Sequence, residues 1–82
     1  MATVTIYSKK ECHLCDIAKE ELEALHCDFE FLFKEVDIEK DKIAFGKYKY
    51  LIPVIEVDGE IISTYKVFPN KMKALLKKKS QF

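Results

Sequence analysis

Arginine is absent from this chain. All fourteen fixed cations are lysines, and they balance fourteen acids to a net charge of zero. Without a guanidinium fork there is no bidentate clamp for carboxylate or phosphate, so anion recognition falls to point charges and backbone N–H groups. Zero net charge provides no global field to draw the protein to nucleic acid or to an anionic membrane. No apolar run approaches the roughly 20 residues that span a bilayer, and Met1–Ile6 is too short and too strand-like for a signal peptide. Two glycines and two prolines punctuate the whole chain, with no repeat, linker or low-complexity stretch. Three cysteines, an odd number, do not suit a secreted disulfide scaffold. The expectation is one domain over residues 1–82, cytoplasmic and monomeric. A chain of this size buries only about 60–65% of its extended surface, so little apolar area is spare.

Hydrophobic spacing sets out the elements. Thr3–Tyr7 alternates and is β-branched, which predicts a strand. From His13 to about Leu25, Leu14, Ile17, Ala18, Leu22 and Leu25 recur at helical spacing. Phe29–Val36 reads as a second strand. Glu39 to about Tyr48 reads as a weaker helix, with Ile43 and Phe45 as its apolar contacts. Leu51–Val57, the pair Asp58-Gly59 and Glu60–Thr64 form a hairpin signal, because both turn positions need positive φ. A last helix from about Asn70 to Lys79 puts Met72, Leu75 and Leu76 on one face, joined by Phe68. The order is β-α-β-α-β-β-α, an α/β arrangement with a mixed sheet: a helix between strands favours a parallel pair, and a hairpin must be antiparallel.

The chemistry concentrates at Cys12-His13-Leu14-Cys15, between the first strand and the first helix. Two cysteines three apart can close a reversible disulfide. As a structural staple a loop this short adds only about 2 kcal/mol, so stability explains the spacing poorly. Cys12 falls at the helix N-cap, where unpaired N–H groups and the helix dipole favour a thiolate; Cys15 falls one turn inside. His13 and the lysines at 9 and 10 act in the same direction, while Glu11 and Asp16 oppose it through weaker, water-screened charge. An exposed attacking sulfur beside a buried resolving one suits dithiol exchange.

Metal binding is the second chemistry to weigh. Cys12, Cys15, His26 and Cys27 supply four ligand types, but a continuous helix separates residues 15 and 26 by about 16 Å, and tetrahedral zinc needs every donor within about 2.3 Å. A c-type haem requires His directly after the second Cys, where Asp16 stands. Copper-chaperone domains also carry Cys-x-x-Cys after a first strand, but with a β-α-β-β-α-β order and usually a Met where Lys10 stands. A metal- or cluster-bridging carrier and a non-catalytic binding module remain the alternatives to redox chemistry. His26 and Cys27 read as a helix-end dipole partner and a packed small side chain.

The element order, Cys-x-x-Cys after the first strand and Ile52-Pro53 before the third together resemble the thioredoxin fold, with a four-stranded mixed sheet flanked by three helices. Residues 6–15, with Lys9 three before the first cysteine, resemble the small glutaredoxins, and specifically the short Cys-His-Leu-Cys type. The resemblance implies a thiol-disulfide oxidoreductase with a redox-active centre and a role in electron transport. It makes Cys12 the nucleophile and Cys15 the resolving thiol. It also implies a cis Pro53 whose neighbour Ile52, with Lys9 and His13, borders the substrate groove. No cofactor is obligatory, no metal is implied, and glutathione is a possible reductant. Partners would be a disulfide-bearing protein or small thiol, with glutathione or a thioredoxin-reductase-type enzyme for regeneration. Two departures stand out. His13-Leu14 replaces the common Pro-Tyr, and residues 62–66 lack the Gly-Gly and acidic segment that grips the glutamyl end of glutathione. That end would have to use Ser63, Thr64, Tyr65 or Lys66.

Overall fold

Along β1 (Thr3–Ser8) the side chains alternate between buried and half-buried: Val4, Ile6 and Ser8 on one face, Thr3, Thr5 and Tyr7 on the other. That period of two makes the strand the centre of a sheet covered on both sides. The structure is a computed structural model that describes residues 1–79. β1 is followed by α1 (His13–Asp28), β2 (Leu32–Asp37), a short 3₁₀ turn (Ile38–Lys40), α2 (Lys42–Tyr48), β3 (Val54–Val57), β4 (Glu60–Thr64) and α3 (Pro69–Lys79). The sheet order is β2-β1-β3-β4, with β1 parallel to β2 and the other two pairs antiparallel. The mixed sheet and the β-α-β-α-β-β-α order are those expected from the sequence.

Two apolar clusters hold the layers together. On one face Val4, Ile6, Ile55 and Val57 meet Ala18, Leu22 and Leu25 of α1 and Met72 and Leu76 of α3. On the other, Ile38, Ala44, Tyr48 and Val54 pack together with Tyr7, Val36, Leu51 and Ile52 against them. The hairpin turn has Asp58 at φ 52° and Gly59 at φ 85°, the paired positive values that Asp-Gly favours. Asp58 also ties the sheet to α3. Its carboxylate accepts the Thr3 N–H at 2.9 Å and the Lys79 ammonium at 2.8 Å. Those bonds, Lys79 first and then Thr3, hold the Asp58 carboxyl below its ordinary value.

Several elements differ from the sequence reading. α1 runs three residues beyond Leu25, and its buried stripe is Cys15, Ala18, Leu22 and Leu25, leaving Leu14 and Ile17 on its exposed flank. β2 begins at Leu32, because Phe29 closes α1 by donating its N–H to the Leu25 carbonyl at 2.9 Å, while Phe31 turns into the core. The helix expected from Glu39 is split. Asp41 accepts the N–H groups of Ile43 and Ala44 at 3.1 and 3.0 Å, starting α2 at Lys42. That cap sets the rotation of the helix, so Ala44 and Tyr48 point inward, whereas Ile43 is 75% exposed and Phe45 also faces solvent. β3 starts only after Pro53, which has no N–H to give a ladder. Before α3, Val67 is the buried residue, and Phe68 lies outside under the Lys66 ammonium at 5.1 Å from its ring.

Candidate functional site

β1 delivers the chain to a sharp reversal. After Ser8 come the exposed Lys9, Lys10 and Glu11, and Glu11 takes φ 57°, a left-handed value that costs a non-glycine residue roughly 1–2 kcal/mol. No residue preference at glutamate signals that turn, and sequence reasoning missed it. Cys12 then occupies the N-cap of α1 in extended conformation, and its Sγ accepts the Cys15 N–H at 3.2 Å. The sulfur thus does what a Ser or Asp oxygen does at an ordinary N-cap. Cys12 and Cys15 form a disulfide across a Cα–Cα distance of 5.2 Å, with Cys15 at 0% exposure and Cys12 partly open. The covalent pair is therefore asymmetric: one sulfur at a helix end facing out, the other sealed in the core.

Register shows what shares that end of the sheet. Ser8 is opposite Asp37, Tyr7 opposite Val54, and Val54 opposite Thr64. The loops after β1, before β3 and after β4 consequently leave the sheet on the same side. Ile52–Pro53 is a cis peptide, with Pro53 buried and Ile52 half-buried. The Tyr65 N–H donates to the Pro53 carbonyl at 2.8 Å, and the Tyr65 hydroxyl donates to the Tyr50 carbonyl at 3.2 Å, joining the two loops. His13 is exposed as the first residue of α1. Lys9 lines an open hollow of about 390 Å³ with Glu11, Asp16, Lys19, Glu35 and Asp37, a lining that includes neither cysteine.

Of the four residues left to the glutamyl end of glutathione, Ser63 is turned into the protein, and its Oγ is buried without a hydrogen-bond partner among the described residues. The Tyr65 hydroxyl is engaged with Tyr50, and the Lys66 ammonium sits over Phe68. His26 and Cys27 lie at the far end of α1. His26 Nε2 donates to the Phe31 carbonyl at 2.8 Å and its ring leans on that of Phe31, whereas Cys27 is exposed rather than packed.

A second polar cluster was not anticipated. Glu56, on β3, accepts the Tyr7 hydroxyl at 2.8 Å on one oxygen and the Tyr48 hydroxyl at 2.9 Å on the other. The two rings are 4.7 Å apart. A single acid within the apolar run of residues 51–57 was the available signal, because such a residue needs partners when its strand is covered. Burial first, then the bond to Glu56, pushes the Tyr7 hydroxyl up to about 12, and the same causes raise Tyr48. A phenol that keeps its proton longer when folded stabilises the fold fully below the unfolded value near 10, and that stability is lost as pH rises toward the folded one. Denaturant midpoints should therefore hold up to pH 10 and fall between 10 and 12. In Tyr7→Phe with Tyr48→Phe the alkaline fall should shrink, and an unchanged fall would assign it to other groups.

No helix among the described residues is long and apolar enough to cross a membrane. Residues 3–77 match the family described as Glutaredoxin-like domain (DUF836). Among solved structures, protein Ne2328 of Nitrosomonas europaea superimposes with a TM-score of 0.79 at 19% identity, covering 92% of this chain and 91% of that one. A structural-genomics target from X. campestris gives 0.71 at 26% identity, over 92% and 96% of the two chains. A thioredoxin variant from Halobacterium salinarum gives 0.71 at 15% identity, over 99% of this chain and 76% of that one. The architecture shared with them is the α/β thioredoxin-like fold.

Proposed function

Because this chain belongs to the glutaredoxin-like domain family, we propose that it is a dithiol–disulfide oxidoreductase working through Cys12 and Cys15. The observation that carries the reading is the division of labour in the pair: Cys12 Sγ at the mouth of α1, accepting the Cys15 N–H, and Cys15 sealed behind it. In the reduced protein the Cys12 thiolate attacks one sulfur of a substrate disulfide. A Cys12–substrate disulfide forms and the other substrate sulfur leaves as a thiol. Cys15, deprotonated, then attacks Cys12 Sγ, releasing the second substrate thiol and closing Cys12–Cys15. Two electrons pass from the dithiol to the substrate, and an external thiol or dithiol reductant restores the starting state. No cofactor beyond the dithiol takes part. Ile52 and Pro53 border the groove, and His13 lies on the helix mouth beside Cys12.

Glutathione fits this site poorly. Lys9 offers one exposed point charge for a carboxylate, while the glutamyl end meets a buried Ser63 and an engaged Tyr65. Glutathione-dependent turnover should therefore be modest and the reduction of an insulin-type protein disulfide, driven by a small dithiol, faster. Lys9→Gln should weaken what glutathione binding exists, and less so at high salt, since an exposed charge is screened within about 8–10 Å. Deglutathionylation and insulin reduction measured side by side make the test. Fast turnover confined to glutathione mixed disulfides would overturn the substrate assignment, and no turnover of either would overturn the function.

A further inference from the structure

Zero net charge hides a strong division. Residues 42–55 and 61–82 hold three and six lysines respectively, nine of the fourteen, and not one of the fourteen acids, all of which lie in 11–41 and 56–60. α3, which carries five of those lysines, packs beside the acidic α1, with Lys73 near Glu21 and Asp28 and Lys79 bonded to Asp58. The loops before β3 and after β4 differ: they hold Lys49 and Lys66 with no acid in either segment. At the end of the sheet where the Cys12 loop emerges, the loops before β3 and after β4 therefore bring lysine without any carboxylate.

Those loops also expose aromatic rings. Tyr50 is 80% exposed, and Tyr65 and Phe68 are about half exposed. The Lys49 ammonium lies 5.2 Å from the Tyr50 ring and the Lys66 ammonium 5.1 Å from that of Phe68. The Tyr65–Tyr50 hydrogen bond joins one loop to the other. β4 lies two strand spacings from β1, about 10 Å, which is close to the Debye length at physiological salt. A carboxylate a few residues from a disulfide seated at Cys12 falls within that range.

We propose that the Lys49–Tyr50 and Tyr65–Phe68 loops form a docking surface for an acidic segment of a disulfide-bearing protein, and select substrates by the charge beside the disulfide. The inference rests on the redox reading above and names its substrate class. Carboxylates would meet Lys49 and Lys66, and apolar side chains between them would lie on the exposed rings. The exchange chemistry is unchanged: the substrate disulfide takes two electrons from the Cys12–Cys15 dithiol, and the segment supplies only orientation and encounter rate.

The test uses the reduced 82-residue protein and three synthetic peptides that share one disulfide loop and differ only in flanks of Asp/Glu, Ser/Gln or Lys. At about 10 mM salt, where charge acts over about 30 Å, the acid-flanked peptide should be reduced about tenfold faster than the neutral one. At about 1 M salt, where the range is about 3 Å, the advantage should fall below twofold. Lys49→Glu with Lys66→Glu should invert the order of the acidic and basic peptides and leave the neutral rate within about twofold. Lys34→Glu, on the opposite sheet edge, should leave the order intact. If the double variant loses its neutral-peptide rate, Lys49→Gln and Lys66→Gln singly should each reduce the preference. Equal rates on acidic and basic peptides at low salt, with the neutral peptide still reduced, would overturn this inference and spare the redox function. No Cys12-dependent reduction of any peptide would overturn both.

Discussion

Cys12→Ser should abolish disulfide exchange, leaving only the uncatalysed background, because a serine hydroxyl is neither deprotonated near neutrality nor able to form the mixed disulfide. Cys15→Ser should behave differently. The attack step survives, but nothing displaces the product, so a Cys12–substrate disulfide should accumulate and be seen as a mass adduct. The prediction follows from burial: Cys15 is inaccessible, so an external disulfide reaches Cys12 first. Alkylation with mass mapping of the reduced protein decides the order of reaction. Labelling of Cys27 ahead of Cys12 would not threaten the scheme by itself, since Cys27 is exposed. Labelling of Cys15 ahead of Cys12, or full activity in Cys12→Ser, would end it.

Glu56→Leu should destabilise the fold by about 2–4 kcal/mol, a large share of the 5–15 kcal/mol typical of a domain. One carboxylate accepts hydrogen bonds from two phenols, so its loss orphans two donors at once. Tyr48 is the more buried of the two and recovers the bond from water less readily than the half-buried Tyr7. Equilibrium denaturation supplies a direct check. In the Glu56→Leu background, Tyr48→Phe should cost almost nothing or even restore stability, because it removes the stranded hydroxyl. A Glu56→Leu protein within about 0.5 kcal/mol of the parent would show that the cluster contributes no net stability.

The fold was legible wherever one strong local rule acted alone. Asp58-Gly59 demands a particular turn, and the turn is there. Cys12 at the start of an apolar helical stripe predicts a cap, and its sulfur caps the helix. Legibility failed where two local signals competed. Around residues 39–48 hydropathy favoured Ile43 and Phe45 as inward residues, but Asp41 set the phase of α2 and turned Ala44 and Tyr48 inward instead. Hydropathy ranks residues by apolarity and is silent about rotation. Phe68 failed similarly: Val67, one position earlier, took the core and left the larger ring to pair with Lys66. The Tyr7–Glu56–Tyr48 cluster depends on a contact 49 residues apart, beyond any window of local pattern, and on one 8 residues apart that crosses from helix to strand. The cysteine pair was readable because its chemistry is contained in four consecutive residues, whereas the lysine-aromatic surface exists only once the sheet order brings distant segments to one end.

In the proposed scheme the sulfur that caps the start of α1 is also the sulfur that exchanges electrons, so helix and redox couple share an atom. A thiolate is a strong acceptor for the Cys15 N–H and a disulfide sulfur a weak one, because charge strengthens such bonds. On that scheme reduction would strengthen the bond that caps the first turn of α1 and oxidation would weaken it. By thermodynamic linkage the same difference feeds back on the couple: each 1.4 kcal/mol by which the capped thiolate is favoured makes the pair about 30 mV more oxidising. A change in helix capping at this one position is in effect a setting of the redox balance, and substitutions that alter the stiffness of α1's opening turn would move the potential without touching either cysteine.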